Sequence, residues 1–469
     1  MVVYIKYIIG FIIVSSCNFV TPIFAGQQLD EQFISILSID NNDKHELKIK
    51  KTKNNEKNIE ELGFILYDLV RKKEFDKIET IIFLYKSDHQ HDENLVKYIY
   101  AEKALVRREY EIAIGFYNEI LAVQPDLPLI EIKLALALIG IKRYEDALLV
   151  YQTLLTKYKN KLSVSLSNFI SSQIILLETK NHWQGTIKLG ASYDFNLNEA
   201  SNSNNIYCFR SKCMGSSKKA IAGGEWHYSI ELSKRYPLLG NHAGQFSFNI
   251  VGLEPMKTVS TKKISVLLNG GYQFEGANKK IQLLPIVETK WHDNQYHSLK
   301  LGARIAVEYE FTPQVILFGG VELKNKNYID KYNFNDGNKL SYSLISGYFL
   351  NPNLLFFSGI DVIKREKKFK SDSYLQYGTK IGLLTVVDPY KLLVVTGYKY
   401  TEFKQFDDYL NTKRSDHNWY LNTQLTLEKY KVLSFTPAVY FNSQINKSTA
   451  HIIYSFKQSE VGVNFSKKF

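Results

Sequence analysis

The sequence has little of several features that mark common protein classes. Its 469 residues include only 10 Pro, 3 Met and 3 Cys, while 45% of them are hydrophobic. Disorder is excluded because it needs few apolar residues, and collagen is excluded because it needs a proline-rich glycine repeat. A long apolar run occurs once, at the N-terminus. A bundle of membrane helices, each needing about 20 largely apolar residues, is therefore excluded too.

Aromatic residues, by contrast, are abundant. The chain has 32 Tyr, 28 Phe and 4 Trp, which together make 14% of its residues. Many rings without long apolar stretches are typical of alternating strands, especially those of an outer-membrane barrel with aromatic girdles. The net charge of +12 comes from lysines spread along the chain, so it does not indicate a nucleic-acid partner. We expect an exported, membrane-related β protein of two or three domains.

The first 25 residues have the pattern of a secretory signal. Lys6 provides a basic start, residues 7–14 an apolar core, and Ala25 a suitable cleavage position. A second interpretation remains open, because Val14-Ser15-Ser16-Cys17 loosely matches a lipoprotein cleavage box with lipidation at Cys17. Cleavage after Ala25 is favoured, since a barrel needs no lipid anchor and one acyl chain anchors only marginally. Both interpretations place the mature protein outside the cytoplasm.

Residues 58–180 are predicted to form a helical domain, after a charged linker over residues 26–57. The helical period of 3.6 is accompanied by a 34-residue repeat. Four residues of one unit recur in the next: Tyr110, Ala113, Tyr117 and Ile120 return as Tyr144, Ala147, Tyr151 and Leu154. This spacing resembles the tetratricopeptide repeat, in about three units, although Lys97 and Glu131 occupy the usual Trp position.

Repeats of this kind stack into a superhelix whose concave face is built from the first helix of each pair. Our hypothesis is that this face binds a client protein, through Leu95, Tyr98, Glu102, Leu129, Ile132 and Leu136. The alternative, equally open at this point, is that these residues pack on the following helix or the neighbouring domain. His89, His91, Asp92 and Glu93 lie at a predicted turn without a distant partner, so we expect no metal site.

After Asn181 the hydrophobic period changes to two. In Trp183–Leu197 and Leu299–Phe311, apolar residues alternate with polar ones. These segments exceed the five or six residues usual in soluble strands and suit a tilted bilayer crossing. Residues 181–469 contain fourteen of them: 183–197, 220–234, 243–253, 262–274, 279–291, 297–311, 314–324, 338–349, 353–364, 373–386, 391–402, 416–428, 432–443 and 459–469. The expected fold is an α + β multidomain chain, a helical solenoid followed by a 14-stranded antiparallel transmembrane barrel.

The connections between these segments alternate in length. Long polar ones follow the odd segments, and short ones follow the even segments, with 235–242 as an exception. Short periplasmic turns and longer outer loops alternate in this way in bacterial barrels, so both ends of the barrel are expected in the periplasm. The first long loop contains Cys208 and Cys213, for which an oxidising compartment favours a disulfide. The terminal Phe469 resembles the recognition signal of the barrel-assembly machinery.

A repeat domain followed by such a barrel resembles the surface lipoprotein assembly modulators, the Slam family. The likeness is carried by the barrel entry, with Trp183, Gly185, Gly190, Tyr193, Asp194, Asn196, Asn198 and Ala200, and by the closing segment from Tyr454. The resemblance implies an outer-membrane translocator that delivers surface lipoproteins, or soluble haem- or metal-scavenging proteins, to the cell surface. It also implies outer-membrane lipid and, during biogenesis, the barrel-assembly machinery as partners.

Catalytic signals are not apparent: the sequence has no nucleophile elbow, phosphate loop or dinucleotide fingerprint, and we expect neither an enzyme nor a cofactor. Two other functions remain as alternatives, a polysaccharide exporter and a passive porin with a periplasmic arm. Polysaccharide exporters tend to have more repeats and a lumen of one charge sign. The predicted inward residues here have both signs: Lys188, Asp194, Lys300, Arg304, Glu308 and Glu310. Passage through the lumen or through a weak seam between the first and last strands is left open.

Overall fold

The computed structural model describes residues 59–159, 162–201, 206–209, 212–215, 219–256 and 261–469. The predicted signal peptide, the lipidation alternative at Cys17 and the linker lie outside the described residues. Within these ranges, a stack of helices precedes a closed antiparallel barrel of fourteen strands. This arrangement confirms the predicted fold class.

The helical part, which we call the arm, consists of consecutive antiparallel helices. Their bounds are α1 Ile59–Arg71, α2 Phe75–Lys86, α3 Glu93–Val106, α4 Tyr110–Val123, α5 Pro128–Gly140, α6 Tyr144–Lys157 and α7 Val164–Thr179. Lys73, Arg108 and Lys142 have φ values of 59°, 62° and 68°. These left-handed residues end α1, α3 and α5 and turn the chain into the second helix of each pair. The repeat is therefore visible in the backbone as well as in the side chains.

The repeated residues form the core of the arm. Ala113, Tyr117, Ala147 and Tyr151 are all 0% exposed. Small residues let paired helices approach, and the rings fill the space between pairs. At the start of α3, the Asp92 side chain accepts a hydrogen bond from the backbone N of Asn94 at 2.8 Å, which caps the helix. None of the helices in the described ranges is long and apolar enough to cross a membrane.

The barrel follows α7 directly. Its strands are β1 Gln184–Asp194, β4 Gly223–Pro237, β5 His242–Pro255, β6 Lys263–Glu275, β7 Lys279–His292, β8 Gln295–Glu310, β9 Val315–Tyr328, β10 Gly337–Asn351, β11 Leu354–Arg365, β12 Tyr374–Val387, β13 Tyr390–Asp407, β14 Thr412–Leu427, β15 Thr436–Ser448 and β16 Phe456–Lys468. Each predicted segment overlaps one of them. The first loop adds a two-stranded hairpin that was not predicted, β2 Ile206–Phe209 and β3 Lys212–Gly215. A short helix, α8 His451–Tyr454, precedes β16.

The barrel closes where β1 pairs with β16, and we call this junction the seam. Its register runs from Thr186 opposite Lys468 to Asp194 opposite Glu460. The predicted first strand continued to Leu197, but β1 ends at Asp194. The chain turns there because the Asp194 carboxylate accepts a hydrogen bond from the backbone N of Asn196 at 2.8 Å. Both ends of the barrel, and hence the arm, lie at the rim that carries the short turns.

Candidate functional site

The inward positions of β7, β8 and β9 hold a network of ion pairs. Lys300 Nζ lies 2.5 Å from Glu288 Oε1, and Lys324 Nζ lies 3.3 Å from Glu288 Oε2. Lys324 also pairs with Glu322 at 3.0 Å, and the Arg304 guanidinium pairs with Glu322 too. These charges are shielded from solvent but compensate one another, which suits a polar lumen.

The inner wall near the periplasmic turns of β8 to β13 is apolar. Its inward positions pack together as a core of Ala306, Ile316, Phe318, Ile345, Phe349, Leu355, Phe357, Leu384 and Val395. The ring of Phe357 lies against the backbone of Gly382, where an added Cβ would come within 2.1 Å of Cζ. Because Gly382 has no side chain, the ring packs directly on the backbone of the neighbouring strand. Apolar side chains thus fill the lumen along one wall at its periplasmic end.

Above this core the lumen holds a cavity of about 740 Å³. One side is lined by residues of β1 and β4, such as Lys188 and His227, and the other by residues of β10 to β13, such as Lys339, Lys380 and Lys399. The cavity therefore spans the lumen from wall to wall.

At its periplasmic end the seam is closed by Gly185 and Phe469. Their backbones exchange two hydrogen bonds, of 2.8 Å and 3.0 Å. A Cβ at position 185 would lie 2.3 Å from Cζ of Phe469, so the ring occupies the space of a side chain. Both residues were singled out from the sequence, and the structure brings them together.

At its outer end the seam is closed by Asp194 and Asn196. Gln458 Nε2 donates to the Asp194 carboxylate at 2.6 Å, and Asn196 Nδ2 donates to the Lys457 carbonyl at 2.8 Å. Asn198 makes the corresponding contacts on the other side, since its Oδ1 accepts from the backbone N of Ile221 at 3.0 Å. The polar residues of the barrel-entry motif therefore tie β1 to both neighbouring strands. Gln458 was missed by the sequence analysis.

The remaining motif residues have separate positions. Gly190 faces Asn464 across the seam, and a Cβ there would come within 2.1 Å of its Oδ1. Trp183 and Tyr193 are exposed on the outer surface of the barrel. Tyr193 meets Phe195 edge to face at 5.3 Å. Aromatic side chains in these positions are typical of the membrane interfaces.

The predicted concave face of the arm needs a correction. Ile132 is 0% exposed because it packs in the core, and so it is not part of a surface. Glu102 is also buried, held by Lys133 Nζ at 2.9 Å and by the Tyr117 hydroxyl at 2.7 Å. For these two residues the alternative holds, since they pack inside the arm instead of lining a surface.

Leu95, Tyr98, Leu129 and Leu136 are half-buried and reach the surface. The ring of Tyr98 stacks on that of Tyr67 at 6.1 Å, and burial raises the pKa of the Tyr98 hydroxyl. Tyr67 was missed because the first repeat is weak in sequence. These five side chains leave an aromatic and aliphatic surface on the arm.

The arm is joined to the barrel by a polar junction. The Tyr144 hydroxyl donates to Glu275 Oε1 at 3.2 Å, and Arg235 Nη1 lies 3.4 Å from Glu145 Oε1. Asn241, in the turn between β4 and β5, donates to the Ile141 carbonyl. The turn spans residues 238–241, because β4 continues to Pro237 and β5 begins at His242, so the connection 235–242 that looked long in the sequence is short in the structure.

Charge is concentrated at this junction. Glu275 has Lys142, Lys180, Arg235 and Lys280 as its electrostatic neighbours. The ammonium of Lys180 lies 4.2 Å from the centre of the Tyr144 ring. Burial lowers the pKa of Lys180 to about 8. The junction is thus a specific buried contact.

Cys208 and Cys213 stand directly opposite each other in the register of the β2–β3 hairpin. Their disulfide stays a prediction. The predicted turn residue His91 has local partners, the Asp88 carbonyl at 2.6 Å and Glu93 Oε2 at 3.1 Å.

Residues 183–469 match a protein family described as "Surface lipoprotein assembly modifier". Residues 48–162 match a second description, "Surface lipoprotein assembly modifier, N-terminal TPR repeats". The two matches correspond to the barrel and to most of the arm.

Whole-chain relatives agree with this assignment. The chain is 21% identical over 432 residues to the hemophilin secretion modulator of Acinetobacter baumannii, covering 88% of this chain and 87% of that protein. It is 22% identical over 431 residues to surface lipoprotein assembly modifier 1 of Neisseria meningitidis serogroup B, covering 88% of this chain and 84% of that protein.

Proposed function

The chain belongs to the surface lipoprotein assembly modifier family, and from that premise we propose that it delivers client proteins across the outer membrane to the cell surface. The clients are surface lipoproteins or soluble haem- or metal-scavenging proteins, and the names of two relatives mention surface lipoproteins and hemophilin. The barrel lies in the outer membrane and the arm in the periplasm. Outer-membrane lipid surrounds the barrel, and the barrel-assembly machinery inserts it with Phe469 as part of the signal. The proposal includes no catalytic step and no cofactor.

One observation carries the proposal: the arm is docked on the rim of the barrel. Tyr144, Glu145 and Asn241 connect the third repeat to the periplasmic turns, and Ala277 of the turn after β6 packs on the core of the arm. A protein bound on the arm is therefore held at the entrance of the barrel. Proximity of this kind raises the effective concentration of the client at the lumen.

The surface of Tyr67, Leu95, Tyr98, Leu129 and Leu136 is suited to a client that is not fully folded. Such a chain exposes apolar side chains, and half-buried rings and aliphatic side chains bind them without a rigid shape requirement. No ATP is present in the periplasm, so direction must come from the client itself. Folding of the client outside the cell makes its transfer irreversible.

Co-expression with a hemophilin or a surface lipoprotein tests the proposal. Protease treatment of intact cells measures how much client is on the surface. The full chain should bring the client to the surface, and deletion of residues 26–180 should abolish this while the barrel remains inserted. Unchanged display after the deletion would refute capture by the arm. Display that does not depend on the chain at all would refute the proposed function.

A further inference from the structure

Two neighbouring strands line the cavity with uncharged side chains. Strands β14 and β15 lie wholly within the described ranges, and none of the residues that they contribute to the cavity is charged. Charged residues of the cavity lie on the flanking strands, with Lys399 on β13 and Glu460 on β16. Amides are the commonest side chains on the two uncharged strands. We call these amides the amide wall: Asn418, Asn422 and Gln424 of β14, and Asn442 and Gln444 of β15.

The amide wall has the period of a β-strand. The inward side chains of β14 occupy the alternate positions 418, 420, 422 and 424, so neighbouring ones lie about 6.8 Å apart. Across the strand pair, Asn422 stands opposite Asn442. Tyr420 stands opposite Gln444 in the same register. An extended polypeptide repeats its backbone groups on one side at the same interval, so its period matches that of the wall.

Much of the hydrogen-bonding capacity of the amide wall is unused. An amide side chain has two N–H donors and a carbonyl acceptor. Asn418 Nδ2 donates to Gln444 Oε1 at 3.3 Å. Asn442 Nδ2 donates to Glu460 Oε2 at 3.0 Å. Asn422 is exposed, and its side chain has no hydrogen-bond partner among the described residues. The wall can therefore both donate to a ligand and accept from it.

The tyrosines of the two strands leave the amides accessible. The ring of Tyr420 lies over Gly397 of β13, where an added Cβ would come within 2.5 Å of Cζ. The ring of Tyr440 lies over Gly462 of β16, and an added Cβ there would also come within 2.5 Å of Cζ. Both rings therefore extend along the wall instead of across the lumen. A chain in the lumen can reach the amides beside them.

We propose that the amide wall binds the backbone of an extended polypeptide segment in the lumen, independently of the segment's side chains. This inference deepens the proposed function and rests on it, because it names what the lumen recognises in a client. Peptide groups are neutral donors and acceptors, so a side-chain amide can pair with them as a neighbouring strand would.

The neutrality of the wall suits passage of a long client. A charged wall would hold segments of opposite charge by hydrogen bonds about twice as strong as neutral ones, and would delay them. Neutral amides bind acidic, basic and uncharged segments alike. A linear saccharide is the competing ligand, since amides bind hydroxyl groups too. The strand period of the amides and the family of the chain favour the polypeptide.

Peptide binding to the purified full chain in detergent tests the amide wall. The probes are a ten-residue peptide of alternating Ser and Thr with a neutral fluorophore, and the same peptide with every second backbone nitrogen methylated. Methylation removes backbone donors and keeps the side chains. Fluorescence anisotropy at physiological salt should show about a fivefold loss of affinity on methylation, the size expected for one hydrogen bond. Exchange of two serines for glutamate or for lysine should change the affinity less than methylation does.

A pair of double variants locates the binding. Asn422→Ala/Gln424→Ala should lose about fivefold in affinity for the unmethylated peptide and little for the methylated one. The matched control is Asn325→Ala/Asn327→Ala, which removes two exposed amides from the outward face of β9 and should leave both affinities unchanged. The heat-dependent shift in gel migration confirms that every variant is a folded barrel.

Three results would overturn the inference. The first is equal affinity for the methylated and unmethylated peptides. The second is an equal loss in the two double variants. The third is tighter binding of a fluorescent linear glucose pentamer than of the Ser-Thr peptide, which would make the wall a saccharide site.

Surface display of a client separates this inference from the proposed function. Normal display in Asn422→Ala/Gln424→Ala, together with peptide binding that methylation does not change, would remove the amide wall and leave the proposed function standing. Methylation-sensitive peptide binding without any chain-dependent display would do the reverse. Slower display in the double variant, with normal display in the control, supports both.

Discussion

The ring of Phe469 lies on the backbone of Gly185, at the periplasmic end of the seam. Because glycine has no side chain, the ring of Phe469 occupies the space that a Cβ would fill. Two backbone hydrogen bonds hold Phe469 against Gly185, the second residue of β1. Phe469, which we propose as part of the signal for barrel assembly, and Gly185 of the entry motif therefore form one structural unit. This contact closes the ring of strands next to the point where the chain passes from the arm into β1.

Substitution of Gly185 tests this contact. Gly185→Ala places a Cβ 2.3 Å from the ring of Phe469, so the ring must leave its position. We expect a loss of about 1 kcal/mol in stability, measured as a lower temperature for loss of the folded barrel band. Gly319→Ala is the matched control, because an added Cβ at Gly319 meets nothing within 4 Å. Equal effects of the two substitutions would contradict the account of the seam.

The outer end of the seam depends on the Asn196 side chain. It donates to the carbonyls of Ala200 and Lys457 and accepts from the backbone N of Ala200. Asn196→Ala should cost about 1–3 kcal/mol, because buried backbone groups lose their partners. Denaturant unfolding in detergent measures this. Asn325→Ala, which removes one exposed hydrogen bond to Asn338, should have little effect. A similar loss in both variants would show that Asn196 has no special role.

The junction is tested by exchanging its charges. Arg235 pairs with Glu145 and also donates to Asn181 Oδ1 at 2.8 Å. Glu145→Arg or Arg235→Glu alone should loosen the arm and speed proteolysis between α7 and β1 several-fold. The double exchange should recover a large part of the protection, since it restores an opposite-charge pair. Protection that is the same in all four proteins would mean that the ion pair does not hold the arm.

Two tyrosines at equivalent repeat positions give a matched pair. The Tyr117 hydroxyl donates to the buried Glu102 at 2.7 Å, whereas the Tyr151 hydroxyl is buried without a hydrogen-bond partner. Tyr117→Phe should destabilise the arm by about 1–3 kcal/mol, and Tyr151→Phe should be neutral or stabilising. Thermal unfolding of the arm, followed by helical circular dichroism, compares them. The opposite order would contradict the described core.

Local patterns predicted the elements well. The alternation of apolar and polar residues located all fourteen barrel strands, because one face of each strand meets lipid and the other meets the lumen. The 34-residue spacing placed Tyr117 and Tyr151 correctly in the core for a similar reason. Each of these predictions depends on residues close together in the chain.

Relationships across the fold were not predictable in this way. The sequence shows inward residues of both signs, but only closure of the ring places Lys188 of β1 and Lys380 of β12 on opposite sides of one cavity. The sequence also left Ile132 open between a surface and the core, since α5 has apolar residues on nearly every side. The junction of Arg235 with Glu145 joins residues 90 positions apart, and no local pattern indicates it.

The central claim is that a client passes from the arm into the barrel, and photocrosslinking during export tests it most directly. A photoreactive residue replaces Tyr98 on the arm, Lys399 in the lumen, or Ile112 on α4 as a control. The account predicts client adducts first at position 98 and later at position 399, with few at position 112. A client that reaches the cell surface without adducts at positions 98 and 399 would contradict it.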